Sequence, residues 1–344
     1  IFFRRAANIE KRLEKLEKLD KPEEKKKLNI TFDTASRSGK DVLTINNLNL
    51  SYGTKEIFNN LNLSIKYQDR LCLVGDNGVG KSTLIKEILK ENKVNRLSIG
   101  IESFNDKYLK YLGRNYTSDI INEKVEFAKK YFDNINVDLM YALKNESLDD
   151  LEEDIDKILK LDIKHISCYS LIIEKNTKLY IDNTKYISDD LDSDMYDLID
   201  KKLENKYHRY EVSNYSIKPY ESRHNLTYWE NNEYYGFGLG AAGYIGNIRY
   251  TNTRNLSKYI CGNYERQNEL LTKEDKIKYE FILGLRLTKG INKDNFNRKY
   301  DININEIEVI KELINKGLLI DDKINIYVPK KYFYVLNDIL VNFV

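Results

Sequence analysis

RLSIGIESFN (residues 96–105), NINVDLMY (134–141) and HISCYSLII (165–173) decide the fold. Each is a short run of apolar residues with alternating polar positions, a pattern typical of a β-strand. The segments between them carry apolar residues at helical spacing: Ile121, Val125, Ala128 and Phe132, then Leu151, Ile155, Ile158 and Leu159. Strands that alternate with amphipathic helices predict an α/β fold with a parallel sheet, covered by helices on at least one face.

Helix-start signals support this alternation. Thr117 or Ser118 is suited to cap the first helix, because a short side-chain oxygen can accept a free N–H of the first turn. Ser147 with Asp150 three positions later resembles a capping box and predicts the start of the second helix.

The C-terminal region predicts a second, smaller domain. Helical runs pass through Phe281 and Leu285 and again through Ile307, Ile310 and Leu313, and Gly317 fits a helix stop. LLIDDKINIYV then predicts a hairpin that turns at Asp321 and Asp322. The expected shape is winged-helix-like, and a packing or lid role is favoured over DNA binding because no basic recognition helix is present.

Composition bounds the function. The 344 residues are 41% hydrophobic with a formal charge of +2, so no global field draws the chain to nucleic acid or anionic lipid. Cys72, Cys168 and Cys261 are too far apart for a disulfide framework or a CxxC metal site. With no run of eighteen apolar residues either, we expect a cytoplasmic protein without a membrane span. The chain begins at Ile1, which leads us to expect that its front is cut from something longer.

A phosphate-binding loop is predicted near the front of the chain. GDNGVGKS (75–82) fits GxxxxGK[ST], follows a predicted strand at 70–74 and precedes a predicted helix at 83–89. Backbone N–H groups of such a loop enclose phosphate oxygens, while Lys81 reaches the outer phosphates and Ser82 can ligate Mg²⁺. The candidate nucleotide residues here are Gly75, Asn77, Gly78, Gly80, Lys81, Ser82 and Thr83.

This region resembles the second nucleotide-binding domain of ABC-F proteins through SYGTKEIFNNLNLSI (51–65) and the loop above. The resemblance implies that Tyr52 stacks on adenine, and that the charged helix of residues 1–28 corresponds to a linker that contacts the ribosome. It stops near residue 91, and no LSGGQ-like signature, Asp-Glu pair or switch histidine follows. We therefore expect weak ATP binding without hydrolysis.

The rest of the chain resembles HemW-type heme chaperones and oxygen-independent coproporphyrinogen III oxidase. KVNRLSIGIESFN, LGR, NINVDLMY, HISCYSLIIE and YESRHNLTYWENNEYYGFGLGAAGYI occur in that family's order between residues 93 and 344. The resemblance implies a partial radical SAM (β/α) barrel and heme or porphyrin as the ligand.

Family members hold a [4Fe–4S] cluster through CxxxCxxC and bind S-adenosylmethionine. That cysteine motif does not occur in the printed sequence, so radical chemistry is not expected, no catalytic residue is assigned and enzymatic activity is left open. By resemblance, Arg114 reaches the methionine carboxylate and Asp138 the ribose hydroxyls, while Glu102 stands in place of a glutamine. Ala142 and Lys144 replace a glycine and a proline, which predicts altered geometry in that loop.

Two further motifs concern ligands. GFGLGAAGYIG contains a formal GxGxxG at Gly238, Gly240 and Gly243, but a strand-like run follows it, so we reject a dinucleotide site. Ala242 replaces a family histidine. His224, in ESRHNLTYW, is the best candidate heme ligand, with a structural hydrogen-bonded histidine as the alternative.

The expected domains are a charged linker (1–30), an ABC-F-like fragment (31–92), a partial barrel (93–265) and a C-terminal domain (266–344). Because the family barrel needs three strands before RLSIGIE, we expect the predicted strand at 70–74 to occupy the third-strand place. Three functions stay open: a heme-binding chaperone without radical chemistry, an ATP-binding ribosome-contacting module, or a non-functional fusion of two gene fragments.

Overall fold

A computed structural model describes most of the chain. The described residues are 41–52, 55–66, 80–91, 94–175, 177–264 and 266–344. The chain divides into two compact units, residues 1–48 with 60–71 and residues 49–59 with 72–344. The predicted linker helix of residues 1–28 and the predicted strand at 70–74 lie outside the described residues.

The front of the chain contains two long strands and a helix. β1 (Asp41–Tyr52) and β2 (Lys55–Lys66) form a two-stranded sheet. Helix α1 (Lys81–Glu91) follows Gly80, whose φ of +100° lies in the region that favours glycine.

A five-stranded sheet forms the centre of the larger unit. Its strands lie in the order β3-β4-β5-β7-β6. Their bounds are β3 (Arg96–Glu102), β4 (Asn134–Tyr141), β5 (His165–Ser170), β6 (His208–Arg209) and β7 (Asn214–Ser216). β3, β4 and β5 run parallel, as predicted, and β7 runs antiparallel to both β5 and β6.

Helices connect these strands. They are α2 (Asp106–Tyr111), α3 (Asp119–Lys129), α4 (Leu148–Lys160), α5 (Lys178–Ile181) and α6 (Asp189–Leu203). The capping box before α4 is confirmed, because Ser147 Oγ accepts from the Asp150 N–H at 3.1 Å and Asp150 Oδ2 accepts from the Ser147 N–H at 3.0 Å.

The predicted cap of α3 is wrong in its chemistry. Ser118 stands at the N-cap position, but its side chain makes no capping bond. Its backbone φ and ψ are helical, whereas a capping residue is extended, and its N–H donates to Asp106 Oδ1 at 2.7 Å. The Thr117 hydroxyl instead contacts the carboxylate of Asp119.

One face of the central sheet is apolar. Successive strand residues point to opposite faces, and every second residue of β4 and β5 on this face is buried: Ile135, Val137, Leu139, Ile166 and Cys168. They pack in one core with Val125 of α3, Ile155 of α4 and Met195 of α6. Full burial of such a side chain contributes about 1.5–3 kcal/mol, so this face holds the helices in place and leaves the other face free for polar groups.

A helix and a small antiparallel sheet follow the central sheet. Their bounds are α7 (Arg223–Trp229), β8 (Ala242–Ile245), β9 (Ile248–Thr251), α8 (Leu256–Ile260) and β10 (Gln267–Leu270), with strand order β10-β9-β8.

The C-terminal region combines helices with a three-stranded sheet of order β11-β13-β12. Its elements are α9 (Lys273–Gly284), β11 (Ile291–Asn292), α10 (Lys293–Tyr300), α11 (Glu308–Asn315), β12 (Ile320–Asp321), β13 (Asn325–Tyr327) and α12 (Leu336–Leu340). Gly317 has φ +67° just after α11, which confirms the helix stop. β12 pairs with β13 in the predicted hairpin, but its turn covers residues 322–324, because Asp321 still pairs with Ile326. Among the described residues, no helix combines the length and the apolar character that crossing a membrane requires.

Candidate functional site

The second face of the central sheet is polar. The strand register places Ser98 beside Asn136, Asn136 beside His165, and His165 beside Ser216. Asn136, His165 and Ser216 are at most 2% exposed. A buried row of polar side chains needs hydrogen-bond partners, because an unpaired buried polar group costs about 1–3 kcal/mol.

These partners form one chain of hydrogen bonds with a determined direction. Asn136 Nδ2 donates to Asp138 Oδ1 at 2.7 Å and to Ser98 Oγ at 2.6 Å. Asn136 Oδ1 must therefore accept, and it receives the Nδ1 proton of His165 at 2.6 Å. His165 Nε2 in turn accepts from the Tyr210 hydroxyl at 2.8 Å.

His165 stays neutral within this series of hydrogen bonds. Burial, reinforced by the positive charge of Arg96, lowers the pKa of His165 to about 3. A neutral imidazole has one donor and one acceptor nitrogen, which is what the chain requires. His165 therefore connects Asn136 to Tyr210 as an uncharged bridge.

The Tyr210 hydroxyl carries the chain to helix α7. Its oxygen accepts from the Ser222 N–H at 3.1 Å. Ser222 is the N-cap of α7, since its hydroxyl accepts from the Asn225 N–H at 3.3 Å. The polar face of the sheet is thus joined by hydrogen bonds to the start of the helix that carries His224.

The predicted S-adenosylmethionine contacts lie near one another at the carboxyl end of β3. Glu102 has φ +62° at a register shift in the pairing of β3 with β4, and its carboxylate forms an ion pair with Arg114. Asp138 is adjacent, because it pairs in register with Gly100. Burial raises the pKa of Glu102, Arg114 opposes the shift, and the like charge of Asp138 adds to it.

This ion pair changes the chemistry expected of Arg114. With glutamine at position 102, the guanidinium would have no ion pair among the described residues, whereas Glu102 provides one. Two of the three residues predicted to contact the ligand are therefore bonded to each other.

His224 is exposed on α7 and is held by a tyrosine. Its Nε2 lies 3.0 Å from the Tyr228 hydroxyl, and the two rings meet edge to face with centroids 4.7 Å apart. Tyr228 also contacts Tyr234, at 4.5 Å between centroids. The candidate heme ligand thus stands at the end of a row of aromatic side chains.

The GxGxxG motif runs into strand β8, because its last glycine, Gly243, lies within that strand, and no helix starts there. Asn252 Nδ2 donates to the carbonyls of Gly236 and Gly238 at 3.1 and 3.0 Å. A Cβ atom at Gly243 would lie 2.2 Å from the ring of Tyr250, so a larger residue does not fit there. Ala242, which replaces a family histidine, is the first residue of β8 and is exposed.

The phosphate loop stays a prediction. Gly80 and Thr83 are described, with Thr83 half-buried in α1. Gly75, Asn77 and Gly78 lie outside the described residues, as do the side chains of Tyr52, Lys81 and Ser82.

The residues present do not fit a [4Fe–4S] cluster. Three thiolates must converge on such a cluster. Cys168 faces the apolar core, where burial raises the pKa of its thiol, while Cys261 is exposed at the end of α8 and Cys72 is outside the described residues. Within the part of the chain that the structure describes, no three His, Cys, Asp or Glu side chains group to hold a metal ion.

Sequence reasoning missed the polar chain through Asn136, His165 and Tyr210. A signal was present, since RxSxG, NxNxD and HxSxY place polar residues at every second position of β3, β4 and β5. The family motifs cover the same strands but do not single out Asn136 or His165.

Known protein families match both the central sheet and the C-terminal region of this chain. The model of the Radical SAM superfamily matches residues 82–158, beginning within α1, and that of the HemN C-terminal domain matches residues 271–331. The solved coproporphyrinogen III oxidase (HemN) from Escherichia coli, described as a radical SAM enzyme, superimposes with a TM-score of 0.63 at 18% identity. The superposition covers 75% of this chain and 66% of that chain, so this chain spans just under two thirds of the enzyme's length and shares its α/β fold.

Curated relatives are more similar in sequence. The heme chaperone HemW of Lactococcus lactis subsp. lactis (strain IL1403) is 37% identical over 268 residues, which are 75% of this chain and 71% of the relative. The heme chaperone HemW of Bacillus subtilis (strain 168) is 38% identical over 254 residues, 70% of this chain and 67% of the relative. The chain therefore belongs to the HemW family of the radical SAM superfamily.

Proposed function

We propose that this chain binds heme as a chaperone and does so without radical chemistry. The observation that carries the proposal is His224, an exposed imidazole on α7 in a chain of the HemW family. An exposed histidine ring is accessible to a planar porphyrin, and histidine is a common axial ligand of heme iron.

The contact with Tyr228 would leave one imidazole nitrogen of His224 for heme iron. If Nε2 carries the proton and donates to the Tyr228 oxygen at 3.0 Å, the lone pair of Nδ1 is left for the metal. A hydrogen bond at the second nitrogen fixes the tautomer and the orientation of a metal-binding histidine. Tyr228 is thus proposed as the positioning partner of His224.

The hydrogen bonds from the polar face of the sheet help to position helix α7, which carries His224. Tyr210 holds Ser222, the cap of α7, and is itself held by buried His165. S-adenosylmethionine would contact Glu102, Arg114 and Asp138, at the end of these hydrogen bonds that lies away from α7. No step is assigned to a cluster, since the cysteines do not fit one.

The cellular setting stays a prediction. A reducing cytoplasm is proposed from cysteine usage in the sequence. ATP binding by residues 75–83 and ribosome contact by residues 1–28 are predictions from resemblance alone.

Heme titration of the purified full chain tests the proposal. We expect one heme per chain, followed by the Soret band, and at least tenfold weaker binding for His224→Ala. Cys261→Ala is the control: Cys261 is an exposed thiol at the end of α8 that could also ligate heme iron, and its loss should leave heme affinity unchanged. Equal affinity of His224→Ala and the unsubstituted chain would disprove the assignment.

A further inference from the structure

Two large aromatic side chains stand exposed in the glycine-rich loop before β8. Tyr235 is 67% exposed and Phe237 is 85% exposed. Their rings contact each other, with centroids 5.9 Å apart and planes 30° from parallel. We call this pair of side chains the aromatic surface. Large apolar side chains that are exposed together point to a binding site, because their contact with water is unfavourable.

Buried groups fix the backbone beneath the aromatic surface. Asn252 is 5% exposed, and its Nδ2 donates to the carbonyls of Gly236 and Gly238 at 3.1 and 3.0 Å. These two glycines flank Phe237. The Gly236 N–H also donates to the Tyr250 hydroxyl at 2.9 Å. A surface whose backbone is already ordered loses little conformational freedom when a ligand covers it.

Two exposed arginines border the same loop. Arg266 donates from Nε to Asn252 Oδ1 at 3.2 Å, and its guanidinium lies over the Tyr250 ring, with Cζ 4.3 Å from the centroid. Arg254 packs at the C-terminal end of the loop, where a Cβ atom at Gly240 would lie 3.4 Å from its Cγ. Neither arginine forms an ion pair within the described part of the chain. The loop therefore presents apolar rings beside two positive charges.

This combination matches a porphyrin that carries carboxylates. The macrocycle is flat and largely apolar, which suits stacking on two rings that are close to parallel. Its propionate side chains are anionic at neutral pH, and a guanidinium binds a carboxylate through paired N–H groups. The aromatic surface also begins one residue after Tyr234, whose ring contacts Tyr228, the partner of His224.

We propose that the aromatic surface holds the macrocycle of heme and that Arg254 and Arg266 receive its propionates. The proposal rests on the heme binding proposed above and adds contacts that do not involve the iron. Binding of the macrocycle should therefore persist when the metal is absent.

Fluorescence titration of the full chain with iron-free protoporphyrin IX tests the proposal. The probe offers no metal to His224, so His224→Ala should bind it as the unsubstituted chain does. Phe237→Ala should weaken its binding by about threefold to tenfold, because a ring contact is lost. The double variant Arg254→Gln/Arg266→Gln should weaken it by about the same factor, because solvent screens exposed ion pairs.

Ile181→Ala is the matched control. Ile181 is 69% exposed on α5, so its substitution removes an apolar side chain of similar exposure from a different element. Its affinity for protoporphyrin should equal that of the unsubstituted chain. Phe237→Ala should fold normally, since the exposed ring contributes little to the core and Asn252 holds the backbone on both sides of it.

The aromatic surface and the iron ligand fail separately. The proposal is overturned if protoporphyrin does not bind, or if Phe237→Ala or the arginine variant binds it unchanged. It is also overturned if Phe237→Ala alters only the oligomeric state in gel filtration, which would indicate a contact between two copies of the chain. Loss of heme affinity in His224→Ala would then still support the iron ligand. Weaker protoporphyrin binding in Phe237→Ala, together with equal heme affinity in His224→Ala, would instead support the aromatic surface and refute His224 as the ligand.

Discussion

The carboxyl group of Glu102 sets the arrangement at the end of β3. It is buried, its backbone has φ +62°, and it forms an ion pair with Arg114. The resemblance to the family implies a glutamine at this position. Replacing an amide by a carboxylate gives Arg114 an internal anion, which would compete with the carboxylate of the methionine-type ligand proposed for Arg114.

Glu102→Gln should therefore release Arg114. We expect affinity for S-adenosylmethionine to rise by about threefold to tenfold, or roughly 1 kcal/mol, since Arg114 is partly exposed and solvent screens the pair. Equilibrium dialysis measures the change, with Arg114→Ala as the control that should lose affinity. Unchanged or reduced affinity in Glu102→Gln would contradict the competition.

Ala142 is strained in the loop after β4. It has φ +61° and is buried, at a position where the family has glycine. A β-carbon in this region costs about 1–2 kcal/mol, so Ala142→Gly should raise the free energy of unfolding by about 1 kcal/mol in urea titrations. Ala128→Gly, within helix α3, should lower it by at least about 1 kcal/mol, and a similar loss at both positions would refute the strain.

Among the elements, the turn between β4 and α4 depends on a buried acid. Glu146 is 2% exposed; its Oε2 accepts from the Leu143 N–H at 2.8 Å, and its Oε1 has no partner among the described residues. Burial raises the pKa of Glu146 to about 8. The hydrogen bond from the Leu143 N–H opposes this shift, and the like charge of Asp154 adds to it. The side chain is therefore protonated in the folded chain at neutral pH.

This acid makes stability depend on pH. Between its ordinary pKa of 4.5 and the folded value of about 8, the folded chain binds more protons at Glu146 than the unfolded chain does. Its contribution is thus fully present below pH 4.5 and is lost as pH rises through 8.

Glu146→Gln removes this titration. The free energy of unfolding of the variant minus that of the unsubstituted chain should rise by a few kcal/mol between pH 5 and pH 8. Each unit of pKa shift corresponds to about 1.4 kcal/mol. Urea unfolding across this range measures it. Glu153→Gln, an exposed glutamate on α4, should leave the profile unchanged, and a flat difference for Glu146→Gln would rule out the protonated acid.

The hydrogen bonds along the polar face of the sheet depend on how several strands pair. Asn136 and His165 are 29 positions apart, and the parallel register of β4 and β5 places them side by side. A slip of one residue would turn His165 into the apolar core, since side chains alternate between the two faces.

At the scale of the whole molecule, the two cysteines that the structure describes do not suit cluster assembly. Cys168 faces the core behind the central sheet and Cys261 ends α8, with no third thiol beside either among the described residues. Anaerobic reconstitution of the purified chain with iron and sulfide should therefore yield neither the absorbance nor the spin signal of a [4Fe–4S] cluster. Either signal, retained after gel filtration and lost in Cys168→Ala, would contradict this.

Sequence alone determined the local features. Alternation of apolar and polar residues predicted β3, β4 and β5, and the Ser147 capping box and the stop at Gly317 were both confirmed. These features depend on neighbours within a few positions, where propensity and periodicity act. The motifs in family order also led to the HemW family, through residues that do not require a structure to be recognised.

Only the tertiary structure decided which distant groups meet. The ion pair of Glu102 with Arg114, the chain from Asp138 to α7, and the contact of Arg266 with Asn252 beside the aromatic surface join residues from separate elements. Strand register, helix packing and burial set these contacts, and no local pattern encodes them. The buried partners of a polar side chain are fixed by how the whole chain packs.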